Sequence, residues 1–488
     1  MRLLKHLIFL LIIQGITVAQ DITSKRLYEA YSNYKVSEIE NKRFSHSDFM
    51  NALLKFQNSN LINISTAGYS IEGREIKLIK IGNGKTNVMA WSQMHGDEST
   101  ATLALLDFLK FIDNDNTDFA TLKKTILDEI TLYIIPMLNP DGAEKFRRRN
   151  ELDIDINRDA LRLQFPESKI LKRIQEETKP KFAFNLHDQG TRYTVGNSYK
   201  VATISFLAPA YNYEKDINDV RENSMKLISQ LTNNLSQFIP GHIAKYNDDF
   251  EPRAFGDNFV KWGSSLVLIE SGGWKNNYDK SFLRKLNFVS LISGFESIAN
   301  KSYANESIDT YKNIPENQKL LFDLLLRNVT IEKNGKSFTV DLGINQNETA
   351  TSDNRNFYFK GKIEEVGDLS IYYGFDEMDC TGLKIETASV YPKTFSLVND
   401  IKKRDVTKIL NEGYSFVQVD SIETSDRFVK CPINIVKTGS KLKARIGLGK
   451  QANFVLKKDD EIKFVCVNGF LYDIKSGKNN IINGLIIK

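Results

Sequence analysis

The 488-residue chain has only three cysteines, Cys380, Cys431 and Cys466, all in its last quarter. An odd number confined to one end is no disulfide framework, although one pair can form in an oxidising compartment, so everything before Cys380 folds without covalent staples. Histidine is almost as sparse: His6, His46, His95, His187 and His242 are the whole supply, and nothing beyond His242 adds to it. A histidine-based metal site in the C-terminal part is therefore excluded. A strong excess of one charge is missing too. The formal net charge is +5, or +3 once Arg2 and Lys5 leave with the opening segment, too small and too dispersed an excess for nucleic acid as a partner. Internal repeats and low-complexity tracts are absent, and 41% hydrophobic with 26% charged residues is the composition of a globular chain.

What is present begins with "MRLLKHLIFLLIIQGITVAQ", a basic start followed by an apolar stretch that Gln14 and Gly15 interrupt, then small residues at Thr17 and Ala19. That order reads as a secretory signal over residues 1–19, placing the mature chain in the periplasm or outside the cell. The stretch falls short of the roughly 20 apolar residues of a spanning helix. No membrane span is expected in the mature chain, and no cysteine follows the cut to carry a lipid.

The remaining length is enough for two domains. After two amphipathic stretches near residues 24–58, apolar runs alternate with helical ones: "EIKLIKI", "NVMAW", a helix through Leu105, Leu109 and Ile112, then "ITLYIIPM", "KFAFNL" and "SSLVLIE". Such alternation predicts an α/β unit with a largely parallel sheet covered on both faces. A helix from Lys280 to about Asn300 closes it, so residues 20–305 form the first domain and the polar stretch 306–319 a linker. From 320 to 488 short strands and the Asn-Gly turns of "EKNGKSF" and "CVNGFLYD" predict a smaller, all-β domain.

Three segments of the first unit gather chemistry. "QMHGDEST" follows a predicted strand and puts His95 three positions before Glu98; alone, the pair is weak evidence, and a polar loop that merely contains both is the competing reading. Its place at the carboxyl end of a strand is where open α/β sheets bind ligands, and His187 ends another strand in "KFAFNLHDQG". Two imidazoles and one carboxylate leave a fourth zinc position for water, as a hydrolytic site requires. "NPDGAEKFRRRNELDIDINRDA" concentrates Arg147, Arg148, Arg149, Asn157 and Arg158 in one loop, ordinarily a solvated face but well suited, beside a metal, to a carboxylate or a developing oxyanion. Glu270 ends the apolar run of "LVLIESGG", a costly place for a carboxylate without a task, which favours a general base.

In this order the segments resemble the zinc carboxypeptidases of the carboxypeptidase A kind, over about residues 45–300. The resemblance implies a sheet of mixed parallel and antiparallel strands, and Zn2+ held by His95, Glu98 and His187 with Asp155 orienting the first histidine. It also implies Glu270 as general base, Arg149 polarising the scissile carbonyl, and Asn157 with Arg158 gripping the terminal carboxylate of a peptide substrate. The family's downstream tyrosine has no clear counterpart; Tyr246 is the candidate. Its specificity position falls near Phe255 or Gly256, where Arg253 would favour an acidic side chain or a cell-wall peptide, unless it is only a surface salt-bridge residue. The C-terminal unit more weakly resembles the small β-sandwich beside the barrel of amidohydrolases, without the barrel. A zinc deacylase of the aspartoacylase type and a non-catalytic peptide-binding protein are the competing functional classes.

Overall fold

The computed structural model describes residues 23–440 and 445–488; the expected signal segment lies outside the described residues. The chain forms two compact units, Met1–Lys319 and Leu320–Lys488.

In the first unit, α1 (residues 23–34) and α2 (His46–Leu54) precede β1 (Ile62–Tyr69), β2 (Glu75–Ile81) and β3 (Thr86–Ser92). Helices α3 (Thr100–Asp113) and α4 (Ala120–Glu129) lead to β4 (Ile130–Ile135), α5 (Pro140–Glu144), α6 (Pro166–Thr178) and β5 (Phe182–Asp188). Next come β6 (Thr194–Val195), β7 (Ile204–Leu207), α7 (Asp219–Ser236), β8 (Ile243–Lys245), α8 (Phe255–Lys261), β9 (Ser265–Ser271) and α9 (Ser281–Asn300). The unit ends with α10 (Ile308–Lys312) and β10 (Asn317–Gln318).

Eight of these strands form one sheet in the order β1-β2-β4-β3-β5-β9-β7-β8. Its centre, β4-β3-β5-β9, is parallel, and antiparallel pairings β1/β2, β2/β4 and β7/β9 lie to either side. The central strands are apolar throughout because both faces are covered. Val88, Ala90, Phe184, Val267 and Ile269 pack with α1 to α4, α7 and α9, whereas Met89, Trp91, Ala183, Leu266 and Leu268 face α6 and α8. Side chains alternate between faces along a strand. Every second residue of β5 and β9 therefore reaches the α6/α8 side, and there the site is built.

A buried ion pair fixes the other helical layer. Arg284 of α9 donates from Nε and Nη2 to the two oxygens of Asp107 on α3, at 2.7 and 2.6 Å, and from Nη1 and Nη2 to the carbonyls of Ile39 and Val36. Asp107 also accepts from the Tyr31 hydroxyl at 2.9 Å and from the Val36 amide at 2.7 Å. One charge pair thus holds α1, the segment after it, α3 and α9.

Residues 306–319 differ from the expected linker. Tyr311 is buried and its hydroxyl accepts from the Ala208 amide, Lys245 donates its amide to Pro315, and β10 pairs with β6. A polar composition hid a strap held by two buried side chains, Tyr311 and Ile314, and by backbone bonds.

The second unit is β-rich. Strands β11 (Leu321–Lys333), β12 (Lys336–Ala350), β13 (Phe357–Gly367), β14 (Tyr373–Asp379) and β15 (Lys384–Thr387) precede β16 (Ser389–Leu397), α11 (Val398–Lys402) and α12 (Thr407–Asn411). They are followed by β17 (Tyr414–Ser421), β18 (Phe428–Val429), β19 (Asn434–Lys437), β20 (Phe454–Lys458), β21 (Glu461–Val467), β22 (Phe470–Asp473) and β23 (Gly484–Ile487). They make an eight-stranded sheet, with β14 beside β11, and a five-stranded sheet in the order β16-β17-β19-β23-β18. Val417, Val419 and Ile435 of the smaller sheet share a core with Val455, Val465 and Val467 of the larger. Asn334-Gly335 and Asn468-Gly469, all with positive φ, turn β11 into β12 and β21 into β22. The two short helices depart from an all-β reading, and the three cysteines are buried and free.

Replacing Asp107 with alanine leaves the Arg284 guanidinium buried without its partner, a loss of about 3–5 kcal/mol. Urea unfolding of the variant is expected to show the first unit destabilised by that amount; a change below about 1 kcal/mol would mean that the pair does not hold the layer.

Candidate metal centre

The turn out of β3 is locally strained and braced. Gln93 takes a left-handed φ of 50°, and its Nε2 donates to the Gly96 carbonyl at 2.9 Å while its Oε1 accepts from Thr102. A Cβ on Gly96 would lie 2.0 Å from the Gly142 carbonyl carbon, so only glycine lets the His95 loop pack against the loop that opens with Asn139. Asn139 fastens the two, its Nδ2 donating to the carbonyls of Met94 and Arg148 and its Oδ1 accepting from the Gly142 amide.

That packing brings His95, Glu98 and His187 together, with one potential ligand atom from each lying within 4.8 Å of the others. Both imidazoles turn Nδ1 toward the Glu98 carboxylate, His95 at 2.8 Å from Oε1 and His187 at 2.7 Å from Oε2. Asp155 stands behind His95, with Oδ1 3.1 Å from Nε2, and its other oxygen accepts from Arg148 Nε and Nη2 at 3.2 and 2.9 Å. Burial pushes the Glu98 carboxyl up, but the two imidazoles override it and hold it well below the usual carboxylate range. Burial alone would lower both histidines; His187 stays low, whereas the Glu98 and Asp155 carboxylates raise His95 to about 9. In the metal-free chain His95 thus adds stability that is complete below its ordinary 6.5 and disappears as the pH rises through about 9.

Glu270 reaches the same place through the sheet register. His187 of β5 lies opposite Glu270 of β9, which lies opposite Ser205 of β7. Register partners share a face, so the carboxylate stands beside the second histidine. Burial, the Glu98 charge and, more weakly, Asp188 push the Glu270 carboxyl well above its ordinary range. Tyr246 is half-buried near it, its phenol pushed up to about 12 by burial first and the Glu270 charge next.

The arginine at the centre is Arg148 rather than Arg149. Arg148 Nη1 reaches within 3.0 Å of His95 Nδ1 and 3.2 Å of Glu98 Oε1, while Arg149 turns outward to donate to the Asp153 carbonyl. Three consecutive arginines gave no sign of which would face in; the anchored Arg148 carbonyl decides it. Asn157 and Arg158 occupy the short turn after Asp155, Asn157 accepting the Phe255 amide and Arg158 paired with Glu251 at 3.3 Å. Arg253 has a side chain that is 57% exposed and spread over Glu251, the salt-bridge arrangement that the sequence left open.

Sequence reasoning missed the support under His187. Asp188 accepts from Thr100 at 2.6 Å and from Lys280 Nζ at 3.1 Å, and its amide donates to Glu98 at 3.2 Å. Gln189 donates to the Ala202 carbonyl and to Ser205. No spacing in the sequence marks Lys280, which reaches the site only because α9 starts beneath it.

Two imidazole nitrogens and a carboxylate converge at the carboxyl edge of a mixed sheet beside a buried acid, a group that could hold one metal ion. The donor set fits Zn2+, with Nδ1 of His95, Nδ1 of His187 and the Glu98 carboxylate as ligands. Residues 48–229 match the zinc carboxypeptidase family model; the match contains His95, Glu98 and His187 and ends before Glu270. The chain is 31% identical to carboxypeptidase SOL1 of Arabidopsis thaliana over 128 residues, 25% of this chain and 26% of that protein. It is 24% identical to carboxypeptidase 2 of Trichophyton tonsurans over 179 residues, 33% of this chain and 31% of that one. It therefore spans roughly a quarter to a third of the length of these relatives. Among solved structures, a metallo-carboxypeptidase from Burkholderia cenocepacia aligns with a TM-score of 0.43 at 14% identity, covering 53% of this chain and 70% of that one. Carboxypeptidase A from Helicoverpa armigera aligns at 0.42 and 16%, covering 58% and 80%.

The two arginines separate cleanly in a test. Arg148→Ala should lower kcat/KM by roughly 10²–10³, the usual loss of one oriented charge-stabilising donor, while Arg149→Ala should stay within about twofold. The reverse pattern would return the role to Arg149.

Proposed function

We propose that the first unit is a secreted zinc metallocarboxypeptidase that hydrolyses the last peptide bond of peptides bearing a free C-terminal carboxylate. The observation that carries this reading is the buried Glu270 carboxylate, set in register with His187 beside the His95, Glu98 and His187 cluster, where a general base is needed. Zn2+ held by His95, Glu98 and His187 would supply an acidified water and a Lewis acid for the scissile carbonyl.

The protein's own groups then have separate tasks. Glu270 takes a proton from the attacking water and hands it to the departing amine. Arg148, held in line by Asp155, offers its guanidinium to the oxygen on which negative charge builds. Asn157 and Arg158 receive the substrate's terminal carboxylate, which exchanges with Glu251 at the Arg158 guanidinium. Tyr246 borders the same space. Asp155 keeps the His95 ring oriented, as outer partners of ligand histidines do.

The leader read from residues 1–19 supports secretion, and cell-wall stem peptides are among the substrates within reach there. The exposed, Glu251-paired Arg253 lends no weight to a preference for acidic side chains. No helix among the described residues is long and apolar enough to cross a membrane.

Mass spectrometry of a peptide with a free C-terminus and of its amidated twin tests the reading. The free peptide should lose its last residue and the amide should be cut slowly if at all. Glu270→Gln should keep bound zinc and lose roughly 10²–10⁴ in kcat. Release of an acyl group from small N-acyl amino acids without peptide trimming would replace this reading with the deacylase one.

A further inference from the structure

The strap that ends the first unit reaches the site through a short chain of amides. Asn317 of β10 donates from Nδ2 to Gln189 Oε1 at 2.6 Å, and Gln189, two residues past His187, donates from Nε2 to the Ala202 carbonyl at 3.0 Å and to Ser205 Oγ at 2.8 Å. A backbone carbonyl only accepts, so the Ala202 bond fixes which end of the Gln189 carboxamide faces Ser205. Space is reserved for that amide. A Cβ on Gly272 would lie 2.0 Å from the Ala202 carbonyl oxygen and 2.8 Å from Gln189 Nε2, so only glycine fits two residues past Glu270. Ser205 is fully buried and stands opposite Glu270 in the β7/β9 register. Its Oγ accepts from Gln189, while its own O–H finds no acceptor among the described residues. The Glu270 carboxylate accepts no hydrogen bond from them either; only burial and neighbouring charges act on it.

We infer, resting on the carboxypeptidase reading above, that Ser205 is a positioning residue for the reaction: its hydroxyl donates to the Glu270 oxygen that is not taking the water's proton, and Asn317 holds it there through Gln189. Directly opposed residues of an antiparallel pair carry Cβ atoms about 4.5–5.5 Å apart, so the hydroxyl of one and the carboxylate of the other meet by side-chain rotation alone. A general base acts only when one oxygen is aimed at the proton it takes, and a bond to the other oxygen fixes that aim. A neutral hydroxyl does this without bringing a positive charge that would weaken the base. The Gln189 amide occupies a lone pair of Ser205 Oγ, which turns the O–H away from it, and donors linked in series strengthen one another. The strap thereby acquires a task. The Glu316 carbonyl accepts the Gly196 amide and β10 pairs with β6, and these backbone bonds deliver Asn317 to Gln189.

The test uses the zinc-loaded full chain and a peptide with a free C-terminus, with kcat and KM read by mass spectrometry and zinc by elemental analysis. Ser205→Ala should keep its zinc and a KM within about threefold while kcat falls roughly 10- to 100-fold, the span of one hydrogen bond to a charged acceptor. Ser205→Thr, which keeps the hydroxyl, should restore kcat to within about fivefold of the native value. Asn317→Leu should lower kcat about five- to tenfold in the native background but less than about twofold in the Ser205→Ala background, because a residue that acts through Ser205 loses its effect with it. A strap that only stabilises the fold would make the two losses multiply. Should Ser205→Ala fail to fold, Gln189→Met, which keeps the volume and removes the amide, takes its place and should show the same fall in kcat at unchanged KM. An unchanged kcat, a loss carried by KM, or losses that multiply would overturn the assignment while leaving the carboxypeptidase reading intact. Failure of the native chain to trim any free peptide would overturn that reading, and this inference with it.

Discussion

The parallel register of β5 against β9 is the constraint from which the site follows. It sets His187 beside Glu270 and, two residues deeper, Asn185 beside Leu268. A slip of one residue would send every one of these side chains to the opposite face, among the apolar contacts of α7 and α9. The register is held because the same alternation decides which hydrophobic residues meet which helical layer: Val267 and Ile269 one way, Leu266 and Leu268 the other. His187 and the candidate base Glu270 are thus placed by packing rather than by any interaction between themselves. The Glu98 carboxylate, drawn between two imidazoles, uses that placement instead of creating it.

Charge organises the site in layers. Glu98 and Asp155 stay ionised because cationic or polarised nitrogen surrounds them, whereas Glu270, with no such neighbour close enough to outweigh burial, is pushed toward neutrality. Environments that drive neighbouring carboxyls apart in pKa are a mark of divided roles, one to hold and one to exchange a proton. Lys280 and Asp188 supply a further pair beneath the histidine, reached from α9 at the far end of the unit.

Much of this was legible in the sequence, and the exceptions have physical causes. The central strands read as apolar runs because they are buried on both faces, and each turned up where its run lies. His95 and Glu98 stood out by following such a run, and Glu270 by ending one. Arg148 was not legible, since its neighbours are also arginines and only the tertiary anchoring of its carbonyl turns it inward. The strap over residues 306–319 was misread because polar residues outnumber the two buried side chains that pin it. Asn185 looked like one polar residue in an apolar strand; its missing partners appear only when the neighbouring strands are in place.

Zinc uptake measures the central claim most directly. Titration calorimetry of the metal-free chain at pH 7.5 should give about one Zn2+ per chain, as two imidazoles and one carboxylate with an open fourth position require. The same titration of His187→Ala should lose the tight equivalent. Undiminished uptake by that variant, or no tight zinc in the native chain, would contradict the site described here.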